Sequence, residues 1–184
     1  MQRYVVFLRG INLGSSRRVT MSQLRQALHE ARYQHVRTLL QSGNVVLTSS
    51  ADPKSLERDL TRTLREAFGM EIAVVVRTRD ELAGVIARDP FAGLADDPAR
   101  YQVSFLSAEP DPPRVRELEG AQVSPERVVV IGREVYAWHP GGVGRSELAG
   151  LITDRRLGVG VTARNWRTLT RLLDLADQPR IPIE

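Results

Sequence analysis

Two polar segments set against a strand–helix framework are where this chain could do chemistry. Arg9-Gly10-Ile11-Asn12 leaves the first strand, and Gln41-Ser42-Gly43-Asn44 forms the turn between the second and third. The connection Gly10–Arg18 is nine residues long, where roughly two to six would join a strand to a helix. It carries Asn12, Gly14, Ser15, Ser16, Arg17 and Arg18, and it ends at a helix N-terminus. Backbone N–H groups, the helix dipole and two arginines at such a point suit an anion such as phosphate. The plainer reading is a solvated turn whose glycines only shape the chain. Arg9 facing Gln41, Ser42 and Asn44 has two readings as well: a ligand clamp, or a lock on the hairpin carbonyls, since short polar side chains at turns often satisfy local backbone.

Two more segments carry candidates. Gly141-Gly142-Val143-Gly144-Arg145-Ser146 is a glycine-rich strand-to-helix turn. It lacks the Lys-Ser/Thr ending of a P-loop and the glycine spacing of a dinucleotide fingerprint. A phosphate nest using Arg145 and Ser146, and a flexible connection, both remain open. Arg164-Asn165-Trp166 is read as the first turn of the last helix. Trp166 falls on the stripe of Leu169 and Leu173, which makes it a core residue rather than a base-stacking platform. Arg164 and Asn165 have no packing role in that reading and join the ligand candidates.

Other chemistries are excluded or lack residues. There is no cysteine, so no disulfide, thiolate metal site or thiol nucleophile. His29, His35 and His139 show no metal-ligand spacing, and no metal or cofactor is expected. There is no GxSxG elbow, and Asp96-Asp97 is read as a solvated loop. With no nucleophile–base pair in view, no reaction is assigned and enzymatic activity stays open.

The framework that positions these residues occurs twice. Tyr4–Leu8 is a buried-strand run. Thr20 is an N-cap whose capping box closes at Gln23, with Val19 stapled to Leu24 and a stripe through Met21, Leu24, Leu28 and Ala31. Val36–Leu40 and Val45–Thr48 flank the hairpin turn. Asp52-Pro53 opens a helix with stripe Leu56, Leu60, Leu64 and Ala67, ended by Gly69. Ile72–Val76 is a fourth strand, and Thr78-x-x-Glu81 caps a helix that stops before Pro90. The second copy reads as Tyr101–Leu106, a helix opened by Asp111-Pro112-Pro113, and Val128–Ile131 paired with Val135–Trp138 across Gly132-Arg133. A helix capped by Ser146 follows, then a short strand at Leu157–Val161 and a last helix capped by Thr162.

Each copy is βαββαβ plus a trailing helix. The order predicts an α+β protein built as a tandem duplication of ferredoxin-like subdomains, antiparallel sheets with helices on one face. The boundaries fall at 1–89 and 90–184. In that topology the end of the first strand and the next hairpin share one rim, while the exits of the third and fourth strands share the other.

Composition fits a globular chain with a real core: 184 residues and 42% apolar. No run of about 18 apolar residues would span a membrane. The start, Met1-Gln2-Arg3-Tyr4, shows no signal-peptide pattern, so the cytoplasm is the expected compartment. Net charge is +4 and the pI about 10.1. Lys54 is the only lysine. Guanidinium forks suit phosphate or carboxylate, although codon usage in a GC-rich genome explains the arginine bias more simply.

Taken in order, LRGINLG from Leu8, LQSGNVVL from Leu40, VVVRTRDEL from Val74, DPF from Asp89, HPGG from His139 and TARNWRTL from Thr162 resemble a bacterial domain-of-unknown-function family, number 1697. The resemblance runs over nearly the whole chain and implies two ferredoxin-like halves. It implies no activity, cofactor or catalytic residue. Ser15-Ser16-Arg17-Arg18 departs from the family's glycine- and lysine-rich pattern while keeping its basic character.

Two functions are expected from these residues. One is binding, with or without turnover, of a phosphorylated or nucleotide-like small molecule at the polar rim. The other is a nucleic-acid module using an open sheet face, which needs exposed aromatics on central strands. The candidates are Tyr4, Phe7, Tyr101, Phe105 and Tyr136, without the paired pattern of that class. No membrane partner is expected, and the oligomeric state is open.

Overall fold

The computed structural model describes residues 1–12 and 18–179. The chain divides into two compact units, Met1–Gly84 with Arg171–Glu184, and Val85–Thr170. The first contains β1 (Gln2–Leu8), α1 (Met21–Glu30), β2 (Gln34–Leu39), β3 (Asn44–Ser49), α2 (Pro53–Phe68) and β4 (Val74–Thr78). Its sheet runs β2-β3-β1-β4 with every neighbouring pair antiparallel. Helix α3 (Arg79–Arg88) follows, then β5 (Tyr101–Leu106), α4 (Pro112–Glu119), β6 (Arg127–Ile131) and β7 (Glu134–Trp138). After them come α5 (Glu147–Leu151), α6 (Asp154–Leu157), β8 (Val161–Asn165) and α7 (Trp166–Asp177). The second sheet runs β6-β7-β5-β8, again antiparallel throughout. Both are the expected βαββαβ order. Among the described residues no helix is long and apolar enough to cross a membrane.

Local chemistry sets the helix ends. Thr20 Oγ1 accepts from Gln23 N at 3.1 Å while Gln23 Oε1 accepts from Thr20 N at 3.2 Å, a reciprocal capping box. Asp52 Oδ1 accepts from Lys54 N and Ser55 N ahead of Pro53. Gly69 ends α2 at φ 65. Thr78 and Glu81 close a second box, with Thr78 N donating to Glu81 Oε2 at 2.7 Å and Glu81 N to Thr78 Oγ1 at 3.0 Å. One face of the first sheet (Tyr4, Val6, Leu8, Val45, Leu47, Val76) packs on Leu24 and Leu28 of α1 and on Leu56, Leu60 and Leu64 of α2. In the second unit Leu106, Val135 and Ala137 pack on Leu118, Leu148 and Leu157. Ala31 and Ala67, placed on the stripes by spacing, are exposed; Ala27 is buried in α1 instead.

Three expectations need correction. The fourth strand lies at Val74–Thr78, two residues beyond its expected start. The stretch Leu157–Val161 is not a strand. Thr153 caps the short helix α6, Gly158 ends it at φ 73, and the strand follows as Val161–Asn165, paired to β5. Thr162 is therefore not a cap but a buried strand residue, and the cap of α7 is Asn165, whose Oδ1 accepts from Thr168 N at 2.9 Å. Tertiary pairing overrides the local signal here, because Thr162 and Arg164 alternate inward as a strand demands. The sheet faces turned away from the helices are closed as well: Val5, Phe7 and Val75, and in the second unit Val103, Phe105 and Tyr136, are buried.

Gly43 has φ +77, and a Cβ there would lie 2.6 Å from Ile11 Cδ1 and 2.8 Å from Leu8 Cβ. Gly69 has a similar φ of +65 with nothing within 4 Å. Gly69→Ala is therefore expected to cost about 1–2 kcal/mol, the left-handed penalty alone. Gly43→Ala adds overpacking of about 1–3 kcal/mol to that penalty. Denaturant midpoints of the two variants isolate the clash, and equal costs would refute it.

Candidate functional site

The first rim is built from backbone upward. At the end of β1, Leu8 N donates to Gly43 O at 2.8 Å, which brings the strand end against the β2–β3 turn. Asn44, wholly buried, spans that turn: its Nδ2 donates to Leu39 O at 2.8 Å and to Ser42 Oγ at 3.0 Å. Asn12 sits at φ 56, a left-handed conformation that asparagine tolerates. Its Nδ2 donates to Gln41 O at 2.6 Å and Val19 O at 2.9 Å, and its Oδ1 accepts from Val19 N at 2.9 Å. One side chain thus ties the approach to α1 to a hairpin nearly thirty residues away. Arg9 is half-buried, and the side chains of Arg18, Gln41 and Ser42 are exposed. Gly14, Ser15, Ser16 and Arg17 lie outside the described residues.

The second rim gathers the exits of β7 and β8, with Tyr101 opposite Trp138 and Gln102 opposite Asn165. Here the organising group is one that sequence reasoning passed over. His139 is fully buried, and its Nδ1 lies 2.9 Å from Glu126 Oε1 and 2.8 Å from Ser146 Oγ. Glu126 Oε2 accepts from Leu148 N at 3.0 Å, and Ser146 Oγ accepts from Ala149 N at 2.8 Å. Burial pushes the Glu126 carboxyl up, but hydrogen bonds from Ser146, His139 and Leu148 N outweigh it and hold the group below its ordinary value. An ionised carboxylate only accepts, so Nδ1 carries a proton and donates it to Glu126. Nε2 is buried without a hydrogen-bond partner among the described residues.

This arrangement bears on the glycine-rich turn. At the N-terminus of α5, where a phosphate nest is one reading of the sequence, Leu148 N already donates to the carboxylate of Glu126 and Ala149 N to Ser146 Oγ. Ser146 is engaged as cap and histidine partner, while Arg145 is exposed beside a cavity of about 290 Å³ lined also by Glu126, Pro140 and Gly142. The cluster is not a hydrolytic triad, since Ser146 and Glu126 meet the same ring nitrogen.

Arg164 faces inward, while Asn165 is half-buried and caps α7. Arg164 is buried in β8, and its Nη1 donates to Thr162 Oγ1 at 2.9 Å and Ala163 O at 2.7 Å. Burial pushes its pKa down to about 10, so it stays charged at neutral pH. Trp166 is half-buried and stacked on Tyr101, ring centroids 4.5 Å apart and 7° from parallel. Tyr101 OH donates to Asp89 Oδ1 at 2.9 Å, and Phe91 packs edge-on at 5.7 Å. Burial and then the bond to Asp89 push the Tyr101 hydroxyl up. An open aromatic face of the kind nucleic-acid readers use is not formed by these rings: Phe7, Tyr101, Phe105 and Tyr136 are all buried. Among the described residues no group of three or more His, Cys, Asp or Glu could hold a metal ion.

The model of the family described as "Protein of unknown function (DUF1697)" matches residues 1–136. No curated protein matches the chain. Among solved structures, the conserved bacterial protein SP0830 from Streptococcus pneumoniae is similar in fold, with a TM-score of 0.78 at 20% identity. The match covers 96% of this chain and 99% of that one.

Two donors, His139 Nδ1–H and Leu148 N–H, converge on one carboxylate, and an amide offers only one acceptor oxygen. Glu126→Gln is expected to destabilise by about 1–3 kcal/mol at neutral pH. Because the folded carboxyl titrates below its ordinary 4.5, its stabilisation is complete above that value and is lost as pH falls through the folded pKa. Urea midpoints should therefore converge between wild type and variant in acid, and a gap independent of pH would sink the assignment.

Proposed function

The chain belongs to the DUF1697 family, and we propose that it acts in the cytoplasm by binding a phosphorylated or nucleotide-like small molecule at the rim of its first unit. The observation that carries this reading is the side chain of Asn12. By bonding Gln41 O and Val19 O together it ties Val19, on the approach to α1, to the hairpin. Arg9, Arg18, Gln41 and Ser42 then belong to a single polar surface rather than to two independent loops. Preorganised donors avoid the ordering cost that weakens binding by mobile loops. Charge favours the same ligand class. Between Met1 and Ala51 the chain has seven arginines and a single acid, Glu30, a field that draws anions to this end of the sequence. Asn12 and Asn44 hold the frame in this reading, and the exposed groups meet the ligand.

Thermal unfolding with AMP, ATP and sugar phosphates tests the proposal. A bound compound at 100 times its Kd should stabilise by roughly 2.7 kcal/mol. Arg18→Ala, at an exposed position, should leave stability within about 0.5 kcal/mol and remove the shift. If no phosphorylated compound moves the midpoint, the reading fails.

A further inference from the structure

A small cavity of about 190 Å³ opens in the second unit between α4 and the α5–α6 segment. Its floor is apolar. Leu118 and Leu157 are buried, and Leu151 and Ala121 are half-buried with their side chains turned to the same space. Two arginines stand at its wall, Arg114 from α4 and Arg156 from α6.

The two are held differently. Arg114 is pinned, its Nη1 donating to Arg155 O at 3.2 Å and Arg156 O at 2.6 Å, the carbonyls at the end of α6. Gly158 at φ +73 leaves room for that guanidinium, since a Cβ there would lie 3.2 Å from Arg114 Cζ. Arg156 reaches Glu117 only at 3.5 Å, between side chains that are 53% and 72% exposed. Such a surface pair contributes little and gives way to a better-placed anion.

We infer that this cavity binds a small carboxylic acid with an apolar body, one aromatic ring or a branched aliphatic chain, whose carboxylate is taken by Arg156 beside the fixed charge of Arg114. Size sets the class: an apolar cavity of about 150 Å³ accommodates benzene, so this one holds a single ring with a short linker and is too small for a nucleotide. The apolar floor supplies the driving force by removing ligand and leucine surface from water. Of the acids paired with the two guanidiniums, Glu117 at 3.5 Å from Arg156 and the exposed Asp111 at 3.9 Å from Arg114, only Glu117 lines the cavity, and an anionic head takes its place on Arg156. The site shares no residue with the rim of the first unit and stands or falls without it.

The test is an NMR titration of the full chain with phenylacetate, and with phenylacetamide as its uncharged counterpart. Saturable shifts are expected at the methyls of Leu118, Ala121, Leu151 and Leu157. The amide, and the acid against Arg156→Gln, should each bind about tenfold more weakly, the scale of one lost charge-assisted contact. Ala121→Leu, which fills the half-exposed mouth, should abolish binding while leaving the spectrum of a folded protein. Absence of saturable shifts at millimolar phenylacetate overturns the inference. So does amide binding equal to that of the acid, or affinity that Arg156→Gln or Ala121→Leu leaves intact.

Discussion

Asn44, sealed from solvent at the mouth of the β2–β3 turn, is the contact on which the first unit's geometry rests. Four residues, Leu40 to Gly43, must reverse the chain between two strands whose last pair is Leu39 and Asn44. A buried carbonyl left unmet at such a point costs as much as a lost hydrogen bond, and Asn44 Nδ2 meets it at Leu39 O. The turn can then pass beneath the end of β1 only where no side chain intervenes. Gly43 satisfies that requirement, with Ile11 and Leu8 closing over the place its Cβ would take. Asn12 completes the structure from the other side. Every exposed group on this rim inherits its position from these three residues.

The second unit has the same strand order and solves the same problem by other means. Its β6–β7 connection is a two-residue turn, Gly132-Arg133, that closes on itself with Gly132 at φ 59. No amide side chain is needed across it. The difficulty moves to the opposite rim, where β7 ends at a long glycine-containing turn into α5. There Glu126 and His139 do what Asn12 and Asn44 do in the first unit, joining segments by a buried polar network. Such networks fix one arrangement when every member is satisfied. His139 Nε2 is the exception, buried with no hydrogen-bond partner among the described residues. Topology is thus repeated between the halves while the polar fastenings are not.

Much of this was legible in the sequence where a local rule governs the outcome. The capping boxes at Thr20–Gln23 and Thr78–Glu81, the Asp52-Pro53 start and the Gly69 stop depend on residues within one turn, and they form as read. Reading failed where pairing at a distance decided. Val161–Asn165 lacks the look of a strand because a buried Arg164 breaks its apolar alternation, and the guanidinium bonds Thr162 and Ala163 within its own strand. The His139–Glu126 pair joins residues thirteen apart across a hairpin, and nothing at either position marks the other. A single histidine near Pro140 and Gly141 could have been flagged as a turn fastening, but not its partner.

The same contrast bears on what the family resemblance means physically. In LRGIN and QSGN, Asn12, Gly43 and Asn44 serve the backbone. Asp89 of DPF holds the Tyr101 hydroxyl and His139 of HPGG holds Glu126. In TARNW, Arg164 bonds its own strand, Asn165 caps α7 and Trp166 stacks on Tyr101. The motif residues are therefore largely the fastenings of the fold, and a sequence sharing them is committed to this architecture more than to any ligand. The exposed side chains of Arg18 and Gln41 on one unit and Arg156 on the other are not among those fastenings. These positions can vary without loosening the frame, so chains with the same motifs and the same fold can hold different ligands.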